Sequence, residues 1–181
     1  KELAKDRRFE YRCAHRPWPY CPRCGDLRDI PKKTGSMYER ILVATDGSPG
    51  TEAVLDHAMA IAEPYDATVT ALYVVDTRVI RAATDRDPDE VRDELAKAGE
   101  KALQTAVERG DAAGVVVETR LHDGNPEREI LDAAGDIDAD LILLGSHGKS
   151  PREKVEGLGS VSETVVTSAE RPVMVTRLPE E

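Results

Sequence analysis

The chain has no apolar run approaching the roughly 20 residues that a bilayer-spanning helix needs, and no charged-then-apolar leader. Membrane insertion and secretion are therefore not expected, and the reading is a cytoplasmic protein without a membrane partner. There are only three cysteines, an odd number, so a disulfide framework is not expected either. Lysine is scarce beyond residue 36, where only Lys97, Lys101, Lys149 and Lys154 occur. The formal net charge of -10 argues against non-specific nucleic-acid binding.

Two compositions are joined end to end. Residues 1–36 hold ten Lys+Arg against five Asp+Glu, leaving fifteen against thirty for residues 37–181. All three cysteines lie in the first part, which is punctuated by Pro17, Pro19, Pro22 and Pro31 and shows no sustained helical or strand period. Cys21-Pro-Arg-Cys24 is half of a zinc knuckle, and Cys13 with His15 supplies two further candidate ligands. The spacing Cys-x-His-x5-Cys-x2-Cys is irregular. The alternatives are a disordered arm, or sequence upstream of a start at Met37. The strongly acidic remainder suits a cytoplasm rich in salt, where its self-repulsion is screened.

From Met37 the pattern is regular. Ile41–Ala44 reads as a buried strand, and Ser48-Pro49 as the N-cap and first residue of a helix with Val54, Leu55, Ala58 and Met59 on its inner face. Val69–Val75 is a second strand. Asp87-Pro88 opens a long helix with Val91, Leu95, Ala98, Ala102 and Ala106 on one stripe, and Gly110 is expected to stop it. A third strand follows from Val115, then a helix opened by Asn125-Pro126, then a strand ending at Leu144. A helix from Ser160, with Glu163 completing a capping box, and a strand over Pro172–Thr176 close the pattern. Alternation of this kind predicts a parallel sheet with helices on both faces. Ligands of such sheets bind beyond the carboxyl ends of strands where the strand order reverses. Asp46 and Gly145 both fall on that edge.

The stretch that carries chemistry runs from Gly145-Ser146-His147-Gly148 to Gly159-Ser160. A strand leads into a glycine-marked loop that feeds a helix N-terminus, an arrangement suited to an anion such as phosphate. It is neither a Walker loop, since Leu143 stands where the first glycine belongs, nor the dinucleotide fingerprint. Asp46 has the alternative role of stabilising a turn, and Ser160 that of a plain helix cap.

Met37-Tyr-Glu-Arg-Ile-Leu-Val-Ala-Thr-Asp-Gly-Ser48, Leu72-Tyr-Val-Val-Asp76, the glycine loop and Arg171-Pro-Val-Met-Val-Thr176 together resemble universal stress protein domains, over about residues 37–178. The remaining residues, 179–181, are a tail. The resemblance implies a Rossmann-like five-stranded parallel sheet of order 3-2-1-4-5, ATP binding and a homodimer formed through the last strand. By position, Asp46 would meet the ribose hydroxyls, Ala44 and Thr45 would flank the nucleoside, and Val74 would offer a backbone contact to adenine. The backbones of Gly145, Gly148, Gly159, Ser160 and Val161 would hold the phosphates, with Mg²⁺ or Mn²⁺ as a bridging ion. The chain departs from the family pattern in placing ten residues, one of them Pro151, between Gly148 and Gly159 where nine are usual. The implied function is a dimeric stress-response or signalling module that binds adenine nucleotide. Its alternatives are a scaffold without nucleotide and a slow ATPase, although no nucleophile–base pair is visible for the latter.

Overall fold

A computed structural model describes residues 20–21, 25–26, 37–146 and 158–176. The chain divides into two units, Lys1–Gly35 and Ser36–Glu181. In the first, strands β1 (Tyr20–Cys21) and β2 (Gly25–Asp26) pair antiparallel, with Cys21 opposite Gly25. Of the candidate zinc ligands only Cys21 is among the described residues; Cys13, His15 and Cys24 lie outside them.

The second unit is built on β3 (Arg40–Ala44), whose Ile41, Leu42 and Val43 have no exposed surface. Side chains alternate across a strand, so an unbroken apolar run is stable only when both faces are covered. Ile41 and Val43 enter a core with α1 (Pro49–Ala62) and α3 (Pro88–Ala113). Leu42 enters the opposite core with α4 (Pro126–Asp136) and α5 (Ser160–Ser168). The five strands are all parallel, in the order β5 (Val117–Gly124), β4 (Thr68–Asp76), β3, β6 (Leu141–Gly145), β7 (Val173–Thr176). In chain order within the unit this is 3-2-1-4-5, as the resemblance implies. The order reverses between β3 and β6. Their amino ends are tied by Asp140, whose Oδ2 accepts from the backbone N–H groups of Glu39 and Arg40 at 2.8 and 2.9 Å. Arg109 of α3 bridges Glu52 and Asp56 of α1 across the outer surface.

Three local expectations change. The long helix runs through Gly110 to Ala113 and ends at Gly114, which takes the left-handed conformation at φ +70°. Gly110 is buried inside the helix, where a methyl group would stand 2.3 Å from Val117 Cγ2, so its role is close packing against β5. The third strand accordingly starts at Val117 rather than Val115. A short helix, α2 (Thr77–Ala82), follows β4; its cap is Asp76, whose side chain accepts from the Arg78 N–H. Finally, Gly159 is the N-cap of α5 and Ser160 its first residue, so the expected Ser160–Glu163 capping box does not form. Gly159 brings no capping side chain to that helix end. Among the described residues no helix is long and apolar enough to cross a membrane.

The two glycines make opposite predictions. Gly110→Ala should lower unfolding free energy by about 1–3 kcal/mol through overpacking. Gly135→Ala, on α4 with nothing within 4 Å of the added methyl, should raise it by about 0.5–1 kcal/mol. Urea melts of the two variants beside the parent read both signs.

Candidate functional site

At the carboxyl edge, where the strand order reverses, lies a cavity of about 330 Å³. Four stretches that are remote in sequence bring the candidate residues to its wall. The end of β3 supplies Ala44, Thr45 and Asp46, and β4 supplies Val74 and Asp76. The end of β6 supplies Gly145, and the start of α5 supplies Gly159, Ser160 and Val161. Eight of the nine positions singled out from sequence therefore face one space. The ninth, Gly148, lies outside the described residues, as does His147.

The turn after β3 is held by its own side chains. Gly47 takes φ +70°, and Asp46 Oδ1 accepts from the Ser48 N–H at 2.9 Å. Thr45 Oγ1 accepts from the Gly47 N–H at 3.1 Å and lies 3.0 Å from Thr51 Oγ1, whose hydroxyl donates to the Ser48 carbonyl at 2.7 Å. Asp46 thus performs the turn-stabilising role and also lines the cavity. Ser48 is the N-cap of α1 by position, but its side chain makes no capping bond, while its own N–H is taken by Asp46.

On the other side, the glycine loop leaves and returns through a closed neck. The Ser146 N–H donates to Thr176 of β7 at 2.9 Å, and the Gly159 N–H donates to Ser146 at 2.7 Å. The buried Ser162 hydroxyl donates to the Gly145 carbonyl at 2.6 Å and fixes the first turn of α5 against the end of β6. The first N–H groups of a helix have no acceptor within it, and Gly159 at the N-cap has no side chain to offer them. That end of the cavity is electropositive by the backbone alone, which favours an anion.

The wall also carries the apolar residues Leu72, Val74, Val79, Pro126, Ile130 and Leu144. Arg78 lines it as well. Its guanidinium is shared between Asp76, at 2.8 Å, and Glu127 of α4, at 2.9 Å, which holds it firmly charged and ties α2 to α4. Tyr73, Thr51, Arg78, Pro126 and Ile130 were not legible as site residues. Thr51 and Arg78 lie in no motif, Tyr73 stands inside the Leu72–Asp76 stretch with no role assigned to it, Pro126 reads only as the first residue of a helix, and Ile130 only as a core position of that helix. Tyr73 carried one signal, being the only aromatic residue in 66–181. Burial, and next the charge of Asp46, push its phenol above the ordinary tyrosine range. Among the described residues no group of three or more His, Cys, Asp or Glu is placed to hold a metal ion.

A sheet of this order with its cavity at the reversal point defines a doubly wound α/β domain of the kind that binds small ligands at its carboxyl edge. Residues 37–177 match the universal stress protein family, and the chain belongs to that family. It is 35% identical to universal stress protein MJ0531 of Methanocaldococcus jannaschii, over 84% of this chain and 90% of that protein. It is 34% identical to universal stress protein YxiE of Bacillus subtilis, over 78% of this chain and all of that one. The solved structure of MJ0577, also from M. jannaschii, superposes with a TM-score of 0.71 at 30% identity, covering 80% and 99% of the two chains. A universal stress protein from Archaeoglobus fulgidus, solved in complex with dAMP, superposes at 0.55 with 25% identity, covering 77% and 98%.

The Ser162–Gly145 bond predicts its own test. Ser162→Ala removes a buried donor, leaves the Gly145 carbonyl unpaired, and should cost about 1–3 kcal/mol in a denaturant melt. Ser162→Thr, which keeps the hydroxyl, should lose less.

Proposed function

We propose that this chain binds an adenine nucleotide, ATP foremost, in the cavity at the carboxyl edge of its sheet. The observation that carries the reading is the convergence on one space of Asp46, Val74, Gly145 and the N-terminus of α5. The apolar wall suits a purine, the Asp46 carboxylate suits the ribose hydroxyls, and the helix N-terminus with the Gly145 and Gly159 backbones suits phosphate. A cavity of about 330 Å³ lies within the ordinary range for small-ligand sites. A relative at 25% identity is described with dAMP bound, which supports the same ligand class for this chain.

Gly148 would add its backbone to the phosphate contacts, as the resemblance implies. A divalent ion fits as one carried by the phosphates and water, since the described side chains offer it no cluster of ligands. Binding would act by shifting a conformation or a partner surface, through its difference in affinity for two states. The partner surface we favour is a second copy docked at β7, a short edge strand whose Met174 is exposed. The acidic surface fits a salt-rich cytoplasm.

Equilibrium dialysis of the full chain against ATP and AMP, in KCl-rich buffer, tests the reading. Uptake of one nucleotide per chain is expected. Asp46→Asn should weaken it at least about tenfold, because the amide keeps one oxygen for the Ser48 N–H but loses the charge that meets the ribose. No uptake by the parent overturns the proposal and leaves the scaffold reading. Light scattering should give a dimer, and a monomer removes the β7 partner surface.

A further inference from the structure

The short helix α2 is held differently from the longer helices around the sheet. Each of α1, α3, α4 and α5 buries side chains, whereas α2 buries none. Only the half-buried Ile80 of this helix packs against a core. A helix of six residues has little stability of its own, so its position depends on what holds it. The Thr77 hydroxyl donates to the Gly124 carbonyl at the end of β5 over a long 3.4 Å. Arg78 Nη1 donates to Glu127 Oε1 of α4 at 2.9 Å, a shorter bond between charged groups and the stronger tie. Beyond the helix, residues 83–87 return to α3 through an exposed or half-exposed stretch.

This weakly held helix forms part of the cavity wall through Arg78 and Val79. Val79 is 48% exposed, so an apolar ligand surface that covered it would gain by doing so. The tie to α4 is nearly balanced. The Glu127 side chain is only 12% exposed, and its Oε2 is buried with no hydrogen-bond partner among the described residues. A sheltered carboxylate with one oxygen unpaired has given up hydration that its single ion pair only partly returns. Arg78 loses little when that pair breaks. Asp76, at the end of β4, accepts from its Nε at 3.0 Å and its Nη2 at 2.8 Å, and caps α2 through the Arg78 N–H. The guanidinium thus keeps a carboxylate partner whether or not it meets Glu127. Two arrangements of similar free energy follow, one with α2 drawn to α4 and one with it released.

We propose that α2 is a lid over the carboxyl-edge cavity, hinged at Asp76 and latched by the ion pair of Arg78 with Glu127. Release of the latch moves Arg78 and Val79 away from α4 and admits a ligand between β4 and α4. A ligand that covers Val79 has more contact with the latched state and shifts the population toward it. That the ligand is a nucleotide rests on the reading above; the motion does not.

Relaxation-dispersion NMR of the full chain tests the motion without ligand. Exchange should be confined to residues 76–83 and the start of α4, and Glu127→Gln should raise the population of the minor state about fivefold. Arg78→Lys, which keeps the charge but cannot hold two carboxylates through one planar fork, should give the same confined rise. Added AMP should suppress the exchange in the parent, and its release, read from line shapes, should be faster in both variants. Absence of exchange at 76–83, or exchange spread evenly over the unit, overturns the lid. Exchange that persists with AMP bound also overturns it and leaves nucleotide binding standing. If AMP does not bind the parent, the nucleotide reading falls and the lid's role in admitting that ligand falls with it.

Discussion

The structure depends on one constraint, the burial of β3 on both faces. Ile41, Leu42 and Val43 are removed from water completely, each burial being worth about 1.5–3 kcal/mol. A strand in that position needs a helix layer on either side and a strand on either edge. The first condition recruits α1 with α3 and α4 with α5, and the second recruits β4 and β6. Because the chain leaves β3 toward β4 and later returns to β6 on the other edge, the connections diverge where β3 and β6 end. The cavity is the space left by that divergence.

The walls of this space are secured by bonds that do not need a ligand. Asp46 holds the turn after β3, the Ser146–Gly159 neck closes the base of the loop, and Ser162 pins α5 to β6. Such a site is largely pre-formed, which lowers the ordering cost of binding. The surface ion pairs contribute differently. Arg86, Arg92 and Arg128 pair with carboxylates at exposed positions, where such contacts are worth little individually and less in salt. Stability therefore resides in the two cores, and the acidic exterior is free to serve solubility.

The alternation of strands and helices was legible because it rests on strong, local signals, whereas the sheet order and the nine candidate positions, eight of which line the cavity, came through the resemblance. Apolar runs mark doubly buried strands, and Pro after Asp, Asn or Ser marks helix starts. What was not legible has a physical reason in each case. Gly110 reads as a helix stop because glycine usually is one, and only the proximity of Val117 shows that it is there for packing. Ser160 reads as a cap because Glu163 stands three residues on, yet Gly159 before it suits the extended N-cap conformation and takes the role. Tyr73 belongs to a strand pattern and reads as core. Its contribution to the cavity depends on where β4 ends relative to α3, which no local pattern encodes. Arg78, Pro126 and Ile130 meet the site only through packing of separate elements.

The central claim is that an adenine nucleotide lies along this carboxyl edge, with its base toward β4 and α4. Photolabelling with 8-azido-AMP, followed by peptide mapping of the labelled chain, tests it most directly. The account predicts label within residues 72–79 and 126–130, removed by excess AMP. Label confined to the outer surfaces of α1 and α3, or label that excess AMP does not displace, would contradict it.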